Sequence, residues 1–236
     1  MVTIDNSVVL VTGANGGLGT EFVRQALSSG ASRVYAAARN PREWDDSRVI
    51  PLVLDVTDPA SIAAAATAAG DVTILVNNAG LYRGQSLIDG PEDELRQSME
   101  TNLFGPVAMT RAFAPALRAA ESAGVVNVAS VISWLPTANS YSVSKAALSS
   151  ATNVLRLDLA ASGVHVLGAY LAYTRTPMTQ GMTGQLNEPA DVVRDIYEGL
   201  SNGADEVLAD EISRQVRAGL SAPIADLLAA VSGNAG

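Results

Sequence analysis

Two rhythms of apolar residues alternate along this chain. Short, nearly continuous β-branched runs occupy residues 8–11, 33–38, 49–54, 73–76, 125–129 and 164–171. Runs of that kind suit strands whose two faces are both covered, as in a parallel sheet. Between them lie Ala-rich stretches at 18–29, 59–69, 91–102, 106–123 and 141–162 that predict helices. Asp58-Pro59 supplies an N-cap followed by proline at the first helical position, and Gly70 stops that helix. Gly30 and Gly163 end two others in the same way. Further on, 189–202 reads as a helix, 206–208 as a short strand, and a last amphipathic stretch runs from Glu211 to a break at Pro223. The alternation predicts an α/β fold, a Rossmann-type doubly wound parallel sheet flanked by helices. No repeat, linker or shift of composition interrupts it. Residues 1–236 are therefore expected to form one domain, with substrate loops at the C-terminal edge of the sheet.

Composition narrows the function classes. The chain has 236 residues, 48% hydrophobic and 17% charged, which excludes disorder. Lys and Arg number 15 against 24 Asp and Glu, and the net charge of −9 argues against nucleic acid as a partner. No run of about eighteen apolar residues exists to span a bilayer, and the first residues lack a charged-then-apolar signal pattern. A cytoplasmic protein with no membrane partner is expected. There are no cysteines and one histidine, His165. Disulfides, thiolate catalysis, Cys-ligated zinc and His-pair metal motifs are thereby removed, and no metal is expected.

The first apolar run leads into Thr12-Gly13-Ala14-Asn15-Gly16-Gly17-Leu18-Gly19, directly ahead of a predicted helix. Glycines there permit a sharp turn and let backbone N–H groups approach a pyrophosphate at the helix N-terminus. The spacing is G-x-x-x-G-x-G rather than the commoner G-x-G-x-x-G, and a tight connection alone would use the same residues. A second signal is Tyr141-Ser142-Val143-Ser144-Lys145. At i and i+4 on one helix, phenol and ammonium share a face. A free tyrosine titrates near about 10 and a neighbouring cation favours its phenolate, so Tyr141 is a candidate general acid/base. Taken singly, the pair also suits an ordinary surface helix.

These segments stand in order with Asn77-Asn78-Ala79-Gly80, Asn102 and the strand end Asn127-Val128-Ala129-Ser130. In that combination the chain resembles the short-chain dehydrogenase/reductase family, over roughly residues 5–200. The resemblance implies hydride transfer between a nicotinamide and an alcohol or carbonyl. It casts Tyr141 as the acid that protonates the substrate oxygen, with Lys145 lowering the tyrosine pKa and holding the nicotinamide ribose. Ser130 would polarise the substrate carbonyl, and Asn102 would hold a water linking Lys145 to solvent. Asn78 would steady the central sheet, with Ala79 and Gly80 along the cofactor and Gly13, Asn15, Gly17, Leu18 and Gly19 in its turn. Ser130 precedes Tyr141 by eleven residues, closer than the family usually has, which leaves Ser133 as a rival. Ser130 is preferred on its strand-end pattern, and the shortening then falls in the 134–140 loop. The family's Pro-Gly after the sixth strand is missing from Leu171-Ala172-Tyr173-Thr174-Arg175-Thr176-Pro177-Met178. Thr174 and Thr176 are still expected at the cofactor, with Thr176 at its nicotinamide end.

The choice of nicotinamide turns on the end of the second strand. An acid there binds a ribose 2′-hydroxyl, but this chain has Ala38 followed by Arg39. That pair suits a 2′-phosphate and hence NADP(H). Asp55 and Val56 are expected against the adenine. Leu81, Tyr82, Ser133, Trp134, Leu135, Tyr173, Met178 and Met182 would line a mostly apolar substrate pocket, with Arg83 and Arg175 as its charged members. His165 reads as structural, and Glu92, Asp93 and Glu94 as the start of a helix. The reading is an NADP(H)-dependent carbonyl reductase or alcohol dehydrogenase for fairly hydrophobic, bulky or aromatic ketones and aldehydes rather than charged sugars. It is expected to be a homo-tetramer, with a dimer second. The alternatives are a non-catalytic NADP(H)-sensing module and a sugar epimerase, for which the chain is short.

Overall fold

In the computed structural model, described for residues 1–135, 139–184 and 186–232, seven parallel strands form one sheet in the order β3-β2-β1-β4-β5-β6-β7. They are β1 (Val8–Thr12), β2 (Arg33–Ala38), β3 (Val49–Val53), β4 (Ile74–Asn77), β5 (Gly124–Val128), β6 (His165–Tyr170) and β7 (Glu206–Leu208). The helices are α1 (Gly17–Ser28), α2 (Pro59–Ala68), α3 (Glu92–Met99), α4 (Gly105–Ala119), α5 (Ser140–Ala160), α6 (Pro189–Ser201), α7 (Glu211–Ala218) and α8 (Ile224–Ser232). Alternate strand residues face two separate cores. Val9, Val11, Val34, Ala36, Ile74 and Val76 pack with Phe22 of α1 and Ile196 of α6. Leu10, Tyr35, Ala37 and Leu75 pack with Ile62 of α2, Phe113 of α4 and Leu159 of α5. Two apolar faces explain why the strands read as unbroken hydrophobic runs. Among the described residues no helix is long and apolar enough to cross a membrane.

The expected helices at 91–102 and 106–123 differ from those observed. A π-helical turn, Glu100–Phe104, joins α3 directly to α4. Pro106 has no N–H for the Asn102 carbonyl, and the helical ladder widens just ahead of it. At the other end α4 stops at Ala119 because Ala120 is extended. Connections between parallel strands are ordinarily helical, yet residues 39–48 join β2 to β3 without a helix, and Trp44 packs on the α1 side of the sheet. At that edge β3 carries Pro51 within the strand, and Val53 is 65% exposed.

A buried polar ladder crosses the centre of the sheet. Asn77 Nδ2 donates to Asn127 Oδ1 at 2.8 Å, and Asn127 Nδ2 donates to Thr152 Oγ1 of α5 at 3.0 Å. Asn77 and Asn127 are register partners on β4 and β5. Asn77→Ala strands a fully buried acceptor on Asn127, which is expected to cost about 1–3 kcal/mol of unfolding free energy in urea titrations. A change within about 0.5 kcal/mol would show that the ladder is not under this constraint.

Candidate active site

The site collects where β1 and β4 end side by side. Thr12 Oγ1 accepts from the N–H groups of Asn78 (3.0 Å) and Ala79 (2.9 Å), and Asn78 Nδ2 returns a bond to the Thr12 carbonyl at 2.8 Å. Asn78 thus ties the end of β4 to the end of β1. Gly13 has φ +66°, and a Cβ there would press on Ala79 Cα at 3.0 Å. A Cβ on Gly19 would overlap the Gly13 carbonyl oxygen, so this glycine brings α1 close to β1. Leu18 is half-buried against the core. Gly17 faces Thr176, whose Cγ2 a Cβ would meet at 2.9 Å. The chain after β6 therefore lies against the turn and brings Thr176 to it.

Gly16, outside the expected contact set, is the open glycine: a Cβ on it would touch nothing within 4 Å. It is the N-cap of α1 and offers no side-chain cap, so the first N–H groups of the helix keep their capacity for a ligand. Gly80 continues the groove, with Asn102 Oδ1 at 3.6 Å and Lys145 Nζ at 4.0 Å from where its Cβ would stand. An uncapped helix start, Ala38 in place of an acid, exposed Arg39 and this glycine-floored groove together fit an extended dinucleotide.

Asn102 sits in the π turn and is buried. Its Oδ1 accepts from the Leu81 N–H at 2.8 Å, while its Nδ2 donates to the Leu81 carbonyl and to Ser144 Oγ, both at 2.9 Å. The amide thus holds the chain after Gly80 onto α5. Tyr82, the next residue, meets Tyr141 edge to face with ring centroids 5.2 Å apart. The Lys145 ammonium donates to the Val128 carbonyl at 2.7 Å and lies 5.5 Å from the Tyr141 ring centroid. Burial pulls its pKa down to about 8. The Tyr141 phenol moves opposite to the expected direction: burial, then Tyr82, pushes its pKa above the ordinary value. Desolvation sets this direction, while the ammonium directs its hydrogen bond at the Val128 carbonyl.

The two serines take different anchors. Ser130 caps the turn after β5, donating to the Leu171 carbonyl at 3.2 Å and accepting from the Ile132 N–H at 3.4 Å. Ser133 donates to the Lys145 carbonyl at 3.0 Å, against the backbone of α5. The centre of the 134–140 loop, residues 136–138, lies outside the described residues, as does Gln185 in the segment after Thr176.

Several expected lining and cofactor residues are placed otherwise. Trp134 stacks on Tyr170 at 4.1 Å with Arg217 beyond it, and Leu135 is buried with Val131, Val216 and Leu227. Their apolar surface is used in packing the C-terminal helices, which corrects the expectation that both line the pocket. Tyr82, Tyr173, Met178 and Met182 are exposed, and Arg175 is paired with Glu188 at 2.9 Å. Thr174 is buried and donates to the Ala172 carbonyl at 3.2 Å. Asp55 accepts from the Thr57 N–H and hydroxyl, which lower its pKa, and Val56 is buried beside Gly105. Asn15 holds the 39–48 segment, donating to the Asn40 carbonyl at 2.6 Å. His165 bonds the Ala204 carbonyl, a structural role. Asp210, unforeseen, accepts from the Ala172 and Ser213 N–H groups and from Asn187 Nδ2 at 2.6–2.8 Å. It stiffens the segment that lacks Pro-Gly. Only its N-cap position ahead of α7 could have signalled it.

Comparison with known proteins gives one consistent answer. A family model described as short chain dehydrogenase matches residues 7–187. The bovine dehydrogenase/reductase SDR family member 7B is 32% identical over 88% of this chain and 74% of its own length. Among solved structures, a short-chain dehydrogenase from Burkholderia cenocepacia in complex with NADP superposes with TM-score 0.90 at 34% identity, covering 98% of this chain and 99% of that one. The NADPH-bound carbonyl reductase from chicken fatty liver gives TM-score 0.79 at 27% identity, covering 86% and 89%.

The Lys145 amine supplies a test independent of any ligand. Unfolding returns it from about 8 to its ordinary 10.5. Between those values the folded protein has released this proton while the unfolded chain still binds it, so stability rises with pH. Against Lys145→Met, wild type is expected to gain up to about 3 kcal/mol from pH 8 to 10.5 in urea denaturation. A difference between the two proteins that stays flat over this range would contradict the burial of the amine.

Proposed function

The chain belongs to the short-chain dehydrogenase family, and on that premise we propose that it is an NADP(H)-dependent carbonyl reductase working on hydrophobic, bulky or aromatic ketones and aldehydes, reversibly with the alcohols. The observation that carries the reading is the convergence of Tyr141, Lys145 and Asn102 beside exposed Gly80. Ala38 and Arg39 favour the phosphorylated dinucleotide, and the NADP and NADPH complexes of the structural relatives support that choice.

Bound along the groove, the cofactor supplies a hydride to the carbonyl carbon. The remaining work falls to this chain. Tyr141 donates its phenolic proton to the substrate oxygen as that oxygen gains charge. A phenol whose pKa is raised by burial stays protonated at neutral pH, which suits donation. Oxidation of an alcohol needs the phenolate and calls for higher pH. Ser130 turns its hydroxyl from the Leu171 carbonyl to the developing oxyanion. Lys145 holds the cofactor ribose, and Asn102 keeps the wall at Leu81 and Tyr82 in register with Tyr141. Tyr82, Tyr173, Met178 and Met182 are exposed, and we read them as an apolar rim to the substrate site. Arg175 is paired with Glu188, which leaves Arg83, bonded to Gln97, as the charged member of this lining, and we read the remainder as favouring uncharged substrates.

The surface supports self-association. Val143, Val154 and Leu157 lie exposed on α5, and Phe104 is exposed ahead of α4. A stripe of that kind is suited to meeting its symmetry mate, and we read the protein as a homo-tetramer built through α4 and α5. Light scattering at micromolar concentration is expected to give a multimeric mass that Leu157→Glu reduces. A monomeric wild type would refute this.

Activity is tested by nicotinamide absorbance with ketones and aldehydes. Tyr141→Phe is expected to lower kcat by about 10² to 10⁴-fold with little change in NADPH affinity. Ser130→Ala is expected to cost about 3 kcal/mol of transition-state stabilisation, and Ser133→Ala far less. Near-normal turnover by Tyr141→Phe would sink the mechanism, and the reverse ranking of serines would move that role to Ser133.

A further inference from the structure

The helix-free connection from β2 to β3 folds back onto the glycine turn, and Asn15 fixes it at two points. Its amide nitrogen donates to the Asn40 carbonyl at 2.6 Å, and its amide oxygen accepts from the Arg42 N–H at 3.3 Å. Trp44 is half-buried against the core on the α1 side. The Arg42 guanidinium lies over the Trp44 ring, 4.0 Å from its centroid, and its tip is 3.5 Å from Thr20 Oγ1 in the first turn of α1. An arginine therefore sits over an indole beside the first turn of α1.

Two arginines of this segment have no carboxylate within ion-pair distance among the described residues. Among the described residues, Arg24, Arg33 and Arg48 each pair with a carboxylate, and no carboxylate comes within ion-pair distance of Arg39 or Arg42. Asp46 is held by Arg48, while Glu43 and Asp45 are exposed on the same segment. Arg39 is near enough to Asp55 to help Thr57 keep that carboxyl ionised, without forming an ion pair. Among the described residues neither guanidinium is held in an ion pair, in a chain of net charge −9. Stacking on an indole pre-orients an arginine, so little freedom is lost when an anion fixes it. A phosphate monoester dianion offers enough acceptor oxygens for two such forks.

We propose that Arg42, carried on Trp44 and anchored through Asn15, is a second cation of the ribose 2′-phosphate site beside Arg39. The proposal rests on the NADP(H) reading. It places part of the cofactor preference on the 39–48 segment and gives Trp44, one of two tryptophans, a position from which to report binding. The other, Trp134, is stacked on Tyr170 of β6.

Binding of 2′,5′-ADP and 5′-ADP, measured by calorimetry and tryptophan fluorescence without any turnover, tests it. Wild type is expected to prefer 2′,5′-ADP, with a fluorescence change that Trp44→Phe abolishes. Arg42→Ala is expected to weaken 2′,5′-ADP by about tenfold or more while 5′-ADP stays within about twofold. Arg42→Lys keeps the charge without the flat fork and is expected to fall between. Should Arg42→Ala lose its fold, Arg42→Gln is read by the same ratio. An unchanged ratio, or equal weakening of both ligands, overturns the role of Arg42 and leaves the cofactor reading standing. A wild type that binds the two ligands equally overturns both. A full fluorescence response in Trp44→Phe overturns the platform.

Discussion

One threonine ties together the carboxyl ends of the two strands at the centre of this sheet. β1 and β4 part company at their carboxyl ends, because the chain leaves β1 for β2 on one side and β4 for β5 on the other. Their last backbone groups would be left unpaired in a crevice. Thr12 prevents this by accepting from Asn78 and Ala79 and donating to the Val76 carbonyl at 3.3 Å. The glycine turn hangs from one side of this knot, and the Ala79–Gly80 floor from the other. The Asn102 clamp on Leu81 fixes the chain beyond that floor. A crevice held open by satisfied bonds is pre-shaped, so a ligand entering it need not order the walls.

Burial, more than pairing, sets the chemistry of the ionisable groups there. The Lys145 amine and the Tyr141 phenol both shift toward their neutral forms. A charged ligand laid along Gly80 would change that balance, since a nearby anion favours the ammonium. The protonation state of the pair is thus coupled to occupancy of the groove, and the free and loaded proteins need not share a titration curve.

Much of this is legible in the sequence. Six of the seven strands are where the apolar runs lie, because burial on both faces leaves few polar interruptions to obscure them, and the seventh is the short strand read at 206–208. Helical spacing points to Tyr141 and Lys145, and motif order to Asn78 and Asn102. The features that escape a reading of the sequence depend on contacts distant along the chain. That Lys145 reaches Val128, and that burial raises the Tyr141 pKa, are results of packing rather than of spacing. Trp134 and Leu135 stand in a loop and read as lining, yet α7 and α8 arrive to cover them. The π turn is hidden because Pro106 looks like an ordinary helix start. Asp210 and Arg42 lie outside every motif, and only the fold brings them to the site.

The sheet also ends in a way that bears on how the protein behaves in a crowded solution. An outer strand with free N–H and C=O groups is a template on which other chains can add strands without limit. Here β3 contains Pro51, which lacks a donor, and β7 at the opposite border has three residues. Neither border offers a long ribbon to a stray β-segment, although Val53 supplies apolar surface at one of them. Strand-by-strand polymerisation is thereby discouraged at both borders, and an expression host can accumulate the protein with less risk of fibrous deposits.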